Sequence, residues 1–534
     1  MSFERSSDIE ELKVQFRQLD RNGNGTLDYK EFSSIFTKLG NHLNYNEKMA
    51  LFQAVDTDGS GSISIEEFID YLFSPREQTP AAEASAVAPP AKFAALLPCS
   101  ACGCRIPDVE SRAITIEQLE LVVSFCETHC TTDAWVSSGG PSQGKPLSVP
   151  EVSLYDICAY VIRPATVSMR VSYVEMIADE PQPPAWFVSH WWGEPHIEFL
   201  ACLQQHAKDR LLSCTESPYW VCAYANNQHE LSEYVTDDPN LSAFRLAMDR
   251  SDGVVSIVDK GAMCFSRIWC CFEVFTCLES SGRAERAKYD VYTAHEHLHC
   301  FTDKRGRPVG PPTRRRAVGI TDGYAVSDSQ WSDYKTNRES HFPSMLVERA
   351  MSLQLEEAQA SVESDRRHIL NTIAGTASLN EEPPAQHPSY DRLNATLRGR
   401  IAAATLRRSV EAGGEVLERC VAALTGSRLR ELQVDFGGCT VFTGDVLGAV
   451  VCALDPETIE VLGLSRCGQI TTLPERVAEF KRLQTLNLYH CVALNSLPAG
   501  LADLPKLKVL NIVGCTSLSS VLKLPKAVRI VTDA

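Results

Sequence analysis

The stretch "DGVVSIVDKG" (Asp252–Gly261), followed after four residues by "SRIWCCFEVFTCLESS" (Ser266–Ser281), decides how the centre of this chain folds. The first run is short, apolar and β-branched without alternation, the pattern of a strand buried on both faces. The second places Ile268, Cys271, Phe272 and Phe275 at helical spacing. Neighbouring segments repeat the rhythm. "AWFVSHWW" (185–192), "PYWVCAYANNQ" (218–228) and "KYDVYTA" (288–294) read as strands. "EPHIEFLACLQQHAKDR" (194–210), with Ile197, Leu200, Ala201 and Leu203 on one side, and "LSAFRLAMDRS" (241–251) read as helices. Strands alternating with helices predict a mostly parallel sheet covered on both faces. Ligands of such sheets bind beyond the carboxyl ends of the strands. Those ends carry "SHWWGEP", "AYANNQH" and "VDKGAMCFSR", all rich in polar and aromatic residues.

Glu273 stands inside the apolar helix, with Trp269 four residues before it and Cys277 four after, on its own side of the helix. Two readings are open. Glu273 is a helix-edge residue near a helix start, favoured by the dipole, or it is a functional acid whose pKa is raised by apolar neighbours. His190 also precedes Cys270 and Cys271 in the order of a caspase-like pair, without the local cysteine signature of that family.

The 534 residues exceed one core and predict several domains. A net charge of −17 argues against a nucleic-acid binder. "MSFERSSDIEELK" is polar and acidic, unlike a signal or transit peptide. No apolar run approaches the ~18–20 residues that span a bilayer. The expected location is cytoplasmic, and the twenty cysteines are expected to be reduced thiols.

"DRNGNGTLDYKE" (20–31) and "DTDGSGSISIEE" (56–67) have the twelve-residue spacing of a Ca²⁺ loop. Asp20, Asn22, Asn24, Thr26, Asp28 and Glu31 fall at the ligand positions of the first loop, and Asp56, Asp58, Ser60, Ser62, Ser64 and Glu67 at those of the second. Gly25 and Gly61 stand where the chain must turn sharply, and Leu27 and Ile63 where paired loops touch. Hard oxygen donors at this spacing wrap a cation that takes about 6–8 oxygens. Residues 8–73 resemble the calmodulin-like EF-hand family. The resemblance implies an all-α lobe binding two Ca²⁺ ions. Three carboxylates per loop suggest sensor-range affinity, on the order of 10⁻⁷–10⁻⁵ M.

A Pro/Ala-rich tether, residues 76–98, follows. Cys99 and Cys102 have zinc-knuckle spacing, and Cys126, His129 and Cys130 could complete a Zn²⁺ site; unligated thiols are the alternative. Residues 99–300 form the α/β region. Its segments "FVSHWWGE", "RSDGVVSIVD" and "SRIWCCFE" resemble the TIR domain, whose third strand leads into S-x-W-C-x-x-E. Ser266, Trp269, Cys270 and Glu273 match that segment, with one extra residue after the serine. The resemblance implies a TIR/flavodoxin-like fold, self-association, and Glu273 as the catalytic acid if the domain cleaves NAD⁺. The segment also resembles a group of algal and protist proteins sharing "SHWWGE" and "YWVCAYANNQ", which implies no activity.

Residues 301–425 begin with the basic loop "TDKRGRPVGPPTRRR" (302–316) and continue as amphipathic helices whose apolar stripes need a partner. In residues 426–534, Leu462, Leu486 and Leu510 align at a spacing of twenty-four, as do Leu464, Leu488 and Ile512, and Cys467, Cys491 and Cys515. This is the pattern of leucine-rich repeats, an α/β solenoid. A short curved surface of this kind suits a protein partner; a structural cap on the helices is the alternative. The combined reading is a multidomain, calcium-binding signalling protein in which the EF-hand pair senses, the TIR-like domain acts or assembles, and the repeats bind a partner. The alternatives are a calcium-regulated TIR-type NAD⁺ glycohydrolase and a non-enzymatic scaffold.

Overall fold

The computed structural model describes residues 89–98, 103–230, 238–279, 287–298, 313–323, 325, 332–519 and 524–532, together with positions 16, 25–27, 31–32, 52, 55, 62–65 and 67. The chain divides into two compact units, Met1–Val87 and Ala88–Ala534.

In the first unit, strand β1 (Thr26–Leu27) pairs antiparallel with β2 (Ile63–Ser64), Leu27 opposite Ile63. Both side chains are buried with Phe16, Phe32, Phe52 and Val55. Phe32 meets Phe52 edge to face, with ring centroids 5.6 Å apart.

The second unit contains two five-stranded sheets. The first is built from β3 (Trp186–His190), β4 (Tyr219–Trp220), β5 (Gly253–Ile257), β6 (Lys288–Leu298) and β7 (Thr313–Ile320). Their order is β4-β3-β5-β6-β7, with only β7 antiparallel. Thus Arg314–Arg316, the end of the basic run, belong to a strand; residues 302–312 lie outside the described residues. "PYWVCAYANNQ" forms a strand only at Tyr219–Trp220. Cys222–Ala225 turn into a short helix, correcting the expectation of a longer strand.

The helices around this sheet include α1 (Ile116–His129), α2 (His196–Arg210), α3 (Ala243–Arg250) and α4 (Ile268–Leu278). Alternate residues of the buried strands feed two cores. Val188, Val255 and Ile257 pack with α1 and α2, and Phe187, Val254 and Val258 with α3 and α4. Helices α5 (Glu363–Ala374) and α6 (Pro388–Ala412) extend the second core through Ile369, Leu370, Leu393 and Leu397.

The 25-residue α6 is the spine of this unit. Further along it, Ala402, Leu406 and Val410 enter a third core, shared with α7 (Gly414–Leu424) and the second sheet. That sheet is wholly parallel and follows chain order: β8 (Glu431–Asp435), β9 (Val461–Ser465), β10 (Thr485–Asn487), β11 (Val509–Asn511) and β12 (Arg529–Val531). Leu462, Leu486 and Leu510 lie side by side in register and are fully buried. Cys491 and Cys515 donate to the Leu464 and Leu488 carbonyls of the preceding turn, at 3.0 and 3.1 Å. Among the described residues, no helix is long and apolar enough to cross a membrane.

Candidate functional site

The two loops of the first unit come together through β1 and β2. Gly25 adopts φ 84°, the left-handed turn that a side chain would resist. Glu31 is buried. Glu67 Oε2 accepts from the backbone N–H and the hydroxyl of Ser64, each at 2.9 Å, while Glu67 N–H donates to Ser64 Oγ. Ser64 and Glu67, positions nine and twelve of their loop, are thereby held together. The sharp turn, the paired loops and the hard-oxygen side chains fit a Ca²⁺ ion. Thr26, Glu31, Ser62, Ser64 and Glu67 are described; Asp20, Asn22, Asn24, Asp28, Asp56, Asp58 and Ser60 lie outside the described residues.

In the first sheet, β3 lies between β4 and β5, so the chain leaves its carboxyl end at a topological switch point, where open α/β sheets bind ligands. His190 and Ile257 are partners at that end. A buried polar cluster has gathered there. His190 Nδ1 lies 3.2 Å from Glu194 Oε1, without the alignment of a hydrogen bond. Burial lowers the His190 pKa to about 4 and pushes that of Glu194 well above the carboxylate range, with Asp259, Cys270 and Glu198 adding to the effect. Desolvation thus outweighs the attraction between the two groups. His196, whose Nε2 is 3.2 Å from Tyr224 OH, is lowered to about 3 by burial.

Glu273 belongs to this cluster. It is mid-helix in α4 and only 4 % exposed, so the helix-edge reading is wrong. Burial raises its pKa to about 8, against weaker opposing hydrogen bonds from Ser189 and Cys270. Its Oε2 has no partner. The expected neighbours lie elsewhere. Trp269 stacks on Phe244 and donates from Nε1 to Asp365 of α5 at 3.0 Å, and Cys277 donates to the Lys288 carbonyl. A helix has several sides, and i±4 spacing does not say which of them meets the sheet.

The cysteines here are buried donors. Cys270 donates to the His190 carbonyl at 3.5 Å and Cys264 to that of Ser189 at 3.8 Å, and both thiols are raised in pKa. The caspase-like pair is therefore absent: Cys270 meets the backbone of His190 rather than its ring. Cys126 and Cys130 are buried in the apolar core, and the His129 ring packs on Phe125 with centroids 4.3 Å apart. Cys99 and Cys102 lie outside the described residues. Among the described residues no three His, Cys, Asp or Glu groups are placed to hold a metal.

Sequence reading missed Glu194, His196 and Cys222 as members of the site. The signal was the concentration of polar and aromatic residues in "SHWWGEP" and "AYANNQH"; only the strand order shows that these turns converge.

The EF-hand domain pair family matches residues 9–73. Alpha-actinin A of Dictyostelium discoideum is 35% identical across 83 residues, 16% of this chain and 10% of that protein. Troponin C of Todarodes pacificus is 38% identical across 65 residues, 12% of this chain and 44% of that protein. Calcium-dependent protein kinase 21 of Arabidopsis thaliana is 39% identical across 62 residues, 12% of each chain. The chain thus spans less than half the length of these relatives. Residues 9–73 are an EF-hand domain pair, and calcium binding through EF-hands is supported.

Proposed function

We propose that this chain is a cytoplasmic, calcium-responsive signalling protein whose EF-hand pair binds two Ca²⁺ ions through the loops 20–31 and 56–67. The carrying observation is the Leu27–Ile63 pairing of two loops with intact ligand positions, inside the segment that matches the EF-hand pair. Asp20, Asn22, Asn24, Thr26, Asp28 and Glu31 hold one ion, and Asp56, Asp58, Ser60, Ser62, Ser64 and Glu67 the other. Glu31→Gln with Glu67→Gln removes the bidentate carboxylates. Calorimetry on that variant is expected to show both sites weakened by about tenfold or more; unchanged Ca²⁺ binding would refute the assignment.

In the same reading, the first sheet of the second unit is a TIR-like domain that can self-associate, and β8–β12 are leucine-rich repeats. Part of the repeat surface is engaged within the chain: Thr336 Oγ1 accepts from Asp435 N–H, and Glu431 accepts from Gly323 N–H. Thr485, Asn487, Val509 and Asn511, on the outward face of β10 and β11, are left for a protein partner.

The burial and raised pKa of Glu273 at the switch point favour a second reading, NAD⁺ cleavage with Glu273 as the catalytic acid. A carboxylate beside the ribose would stabilise oxocarbenium-like charge as nicotinamide leaves. Nicotinamide release by the wild type, lost in both Glu273→Ala and Glu273→Gln, is the expected result. Equal release by all three proteins, or none from the wild type with or without Ca²⁺, would leave the domain a binding role.

A further inference from the structure

At the other end of the first sheet from the switch point lies a cleft of about 310 Å³. It is bounded by the start of β6, the end of β7, the spine helix α6 and the first two repeat strands, β8 and β9. β6 runs parallel to β5 and β3, so its first residues stand at the amino end of the parallel strands, away from His190. Val291, Ile320, Ala404 and Leu429 give the cleft an apolar wall. Its volume is that of a site for a small molecule.

The carboxyls that line this cleft already have donors. Asp322 Oδ1 accepts from Arg400 Nη1, and its Oδ2 from Tyr289 N–H at 2.9 Å. Glu339 Oε1 accepts from Lys335 Nζ and from Thr321 N–H. Glu460 accepts from Arg430, Arg482 and Gln484. Glu431 accepts from Gly323 N–H and Gln433 Nε2, and burial raises its pKa, which lessens the negative charge it presents. Positive donors are left over. The Arg400 guanidinium lies over the Tyr289 ring, Cζ 5.7 Å from the centroid, and spends only Nη1 on Asp322. Among the described residues Arg400 Nη2 has no acceptor, and neither has Nζ of Lys288, an exposed lysine lining the same cleft.

We propose that this cleft binds a small organic anion, a carboxylate or phosphate monoester with an apolar body, through Lys288 and Arg400. Hydrogen bonds from cationic donors to such oxygens are the strong ones, and here two donors on different elements stand ready for them. The apolar wall takes the body of the ligand. A cation would meet two uncommitted positive charges and carboxyls that already have donors. A neutral molecule answers the hydrogen bonds but not the charge, and the experiment separates the two. The bound anion would join the first sheet to the spine helix beside the repeats. This site is distinct from the crevice that holds Glu273, so the inference stands whether or not the domain cleaves NAD⁺.

The test is calorimetry on the full chain with phenyl phosphate and 3-phenylpropionate. Benzyl alcohol and 3-phenylpropanamide are the neutral counterparts, and sodium chloride at equal ionic strength is the control. At least one anion is expected to bind, about tenfold or more tighter than its neutral counterpart. Lys288→Gln should weaken that binding by about tenfold, and so should Arg400→Lys, which keeps a charge for Asp322 but loses the second Nη. Lys145→Gln, an exposed lysine outside the cleft, should bind as the wild type does. Circular dichroism establishes that the variants are folded. Binding of neither anion, or equal binding of the neutral counterparts, would overturn the proposal, as would binding that survives in both Lys288→Gln and Arg400→Lys. Anion binding lost in Glu273→Gln would also overturn it, by placing the anion in the switch-point crevice. Anion binding without nicotinamide release leaves this proposal standing and removes only the enzymatic reading.

Discussion

Arg210→Met is expected to destabilise the second unit by about 3–5 kcal/mol, the cost of leaving a buried charge without its partner. Asp290 is fully buried on β6, between β5 and β7 of the first sheet. Its Oδ1 accepts from Arg210 Nη2 at 2.6 Å and from Asp322 N–H at 3.0 Å, and its Oδ2 from Arg210 Nε at 2.8 Å. His206 Nε2 is 3.2 Å from Oδ2, and its Nδ1 is 2.8 Å from Tyr219 OH. These contacts tie α2 to β4 and β6 through the core. Despite burial, the arginine and the histidine hold the Asp290 pKa well below the usual carboxylate range. Asp290 therefore contributes stability that is present above about pH 4, its unfolded value, and is lost as pH falls further. His206, lowered by burial, acts in the same direction from about pH 6.5 downward. Urea denaturation of Arg210→Met, Asp290→Asn and the double variant checks this. The double variant should cost less than the sum of the singles, because it leaves no orphaned charge. A loss under about 1 kcal/mol in both singles would mean that water screens the network.

Glu273→Gln is expected to do the opposite and stabilise the protein, by about 3 kcal/mol at pH 7. The carboxyl has a folded pKa of about 8, against 4.5 ordinarily. Its contribution to stability is thus fully present below about pH 4.5 and is lost as pH rises through about 8, because the unfolded chain releases the proton that the folded chain must keep. Glutamine has no proton to lose. The difference between variant and wild type should be near zero at pH 4.5, grow with pH and level off above 8. Denaturant midpoints at pH 5 and 7.5 measure it. A variant no more stable than wild type at pH 7.5 would mean that the carboxyl already ionises with a partner. A stabilised variant that also loses nicotinamide release would mark Glu273 as kept for function at the expense of stability.

The sequence by itself determined whatever depends on short spacing. The twelve-residue loops, with oxygen donors at fixed positions and Gly25 at the turn, were legible because their chemistry is written within one stretch of chain. The twenty-four-residue register of Leu462, Leu486 and Leu510 was legible for the same reason, since each repeat stacks on the next. The buried run Gly253–Ile257 announced a parallel strand. Cys126 and Cys130 are buried in the core, a role that thiols at ligand-like spacing also fill. The tertiary structure alone decided which way Glu273 faces. Helical spacing grouped it with Trp269 and Cys277, but the packing of α4 against β3 turned it toward Ser189 and Cys270. It also brought His190, Glu194 and His196 to the same place, next to a strand order that periodicity does not encode. Burial, which sets the protonation of all these groups, depends on the whole fold closing around them, and local sequence does not carry that information.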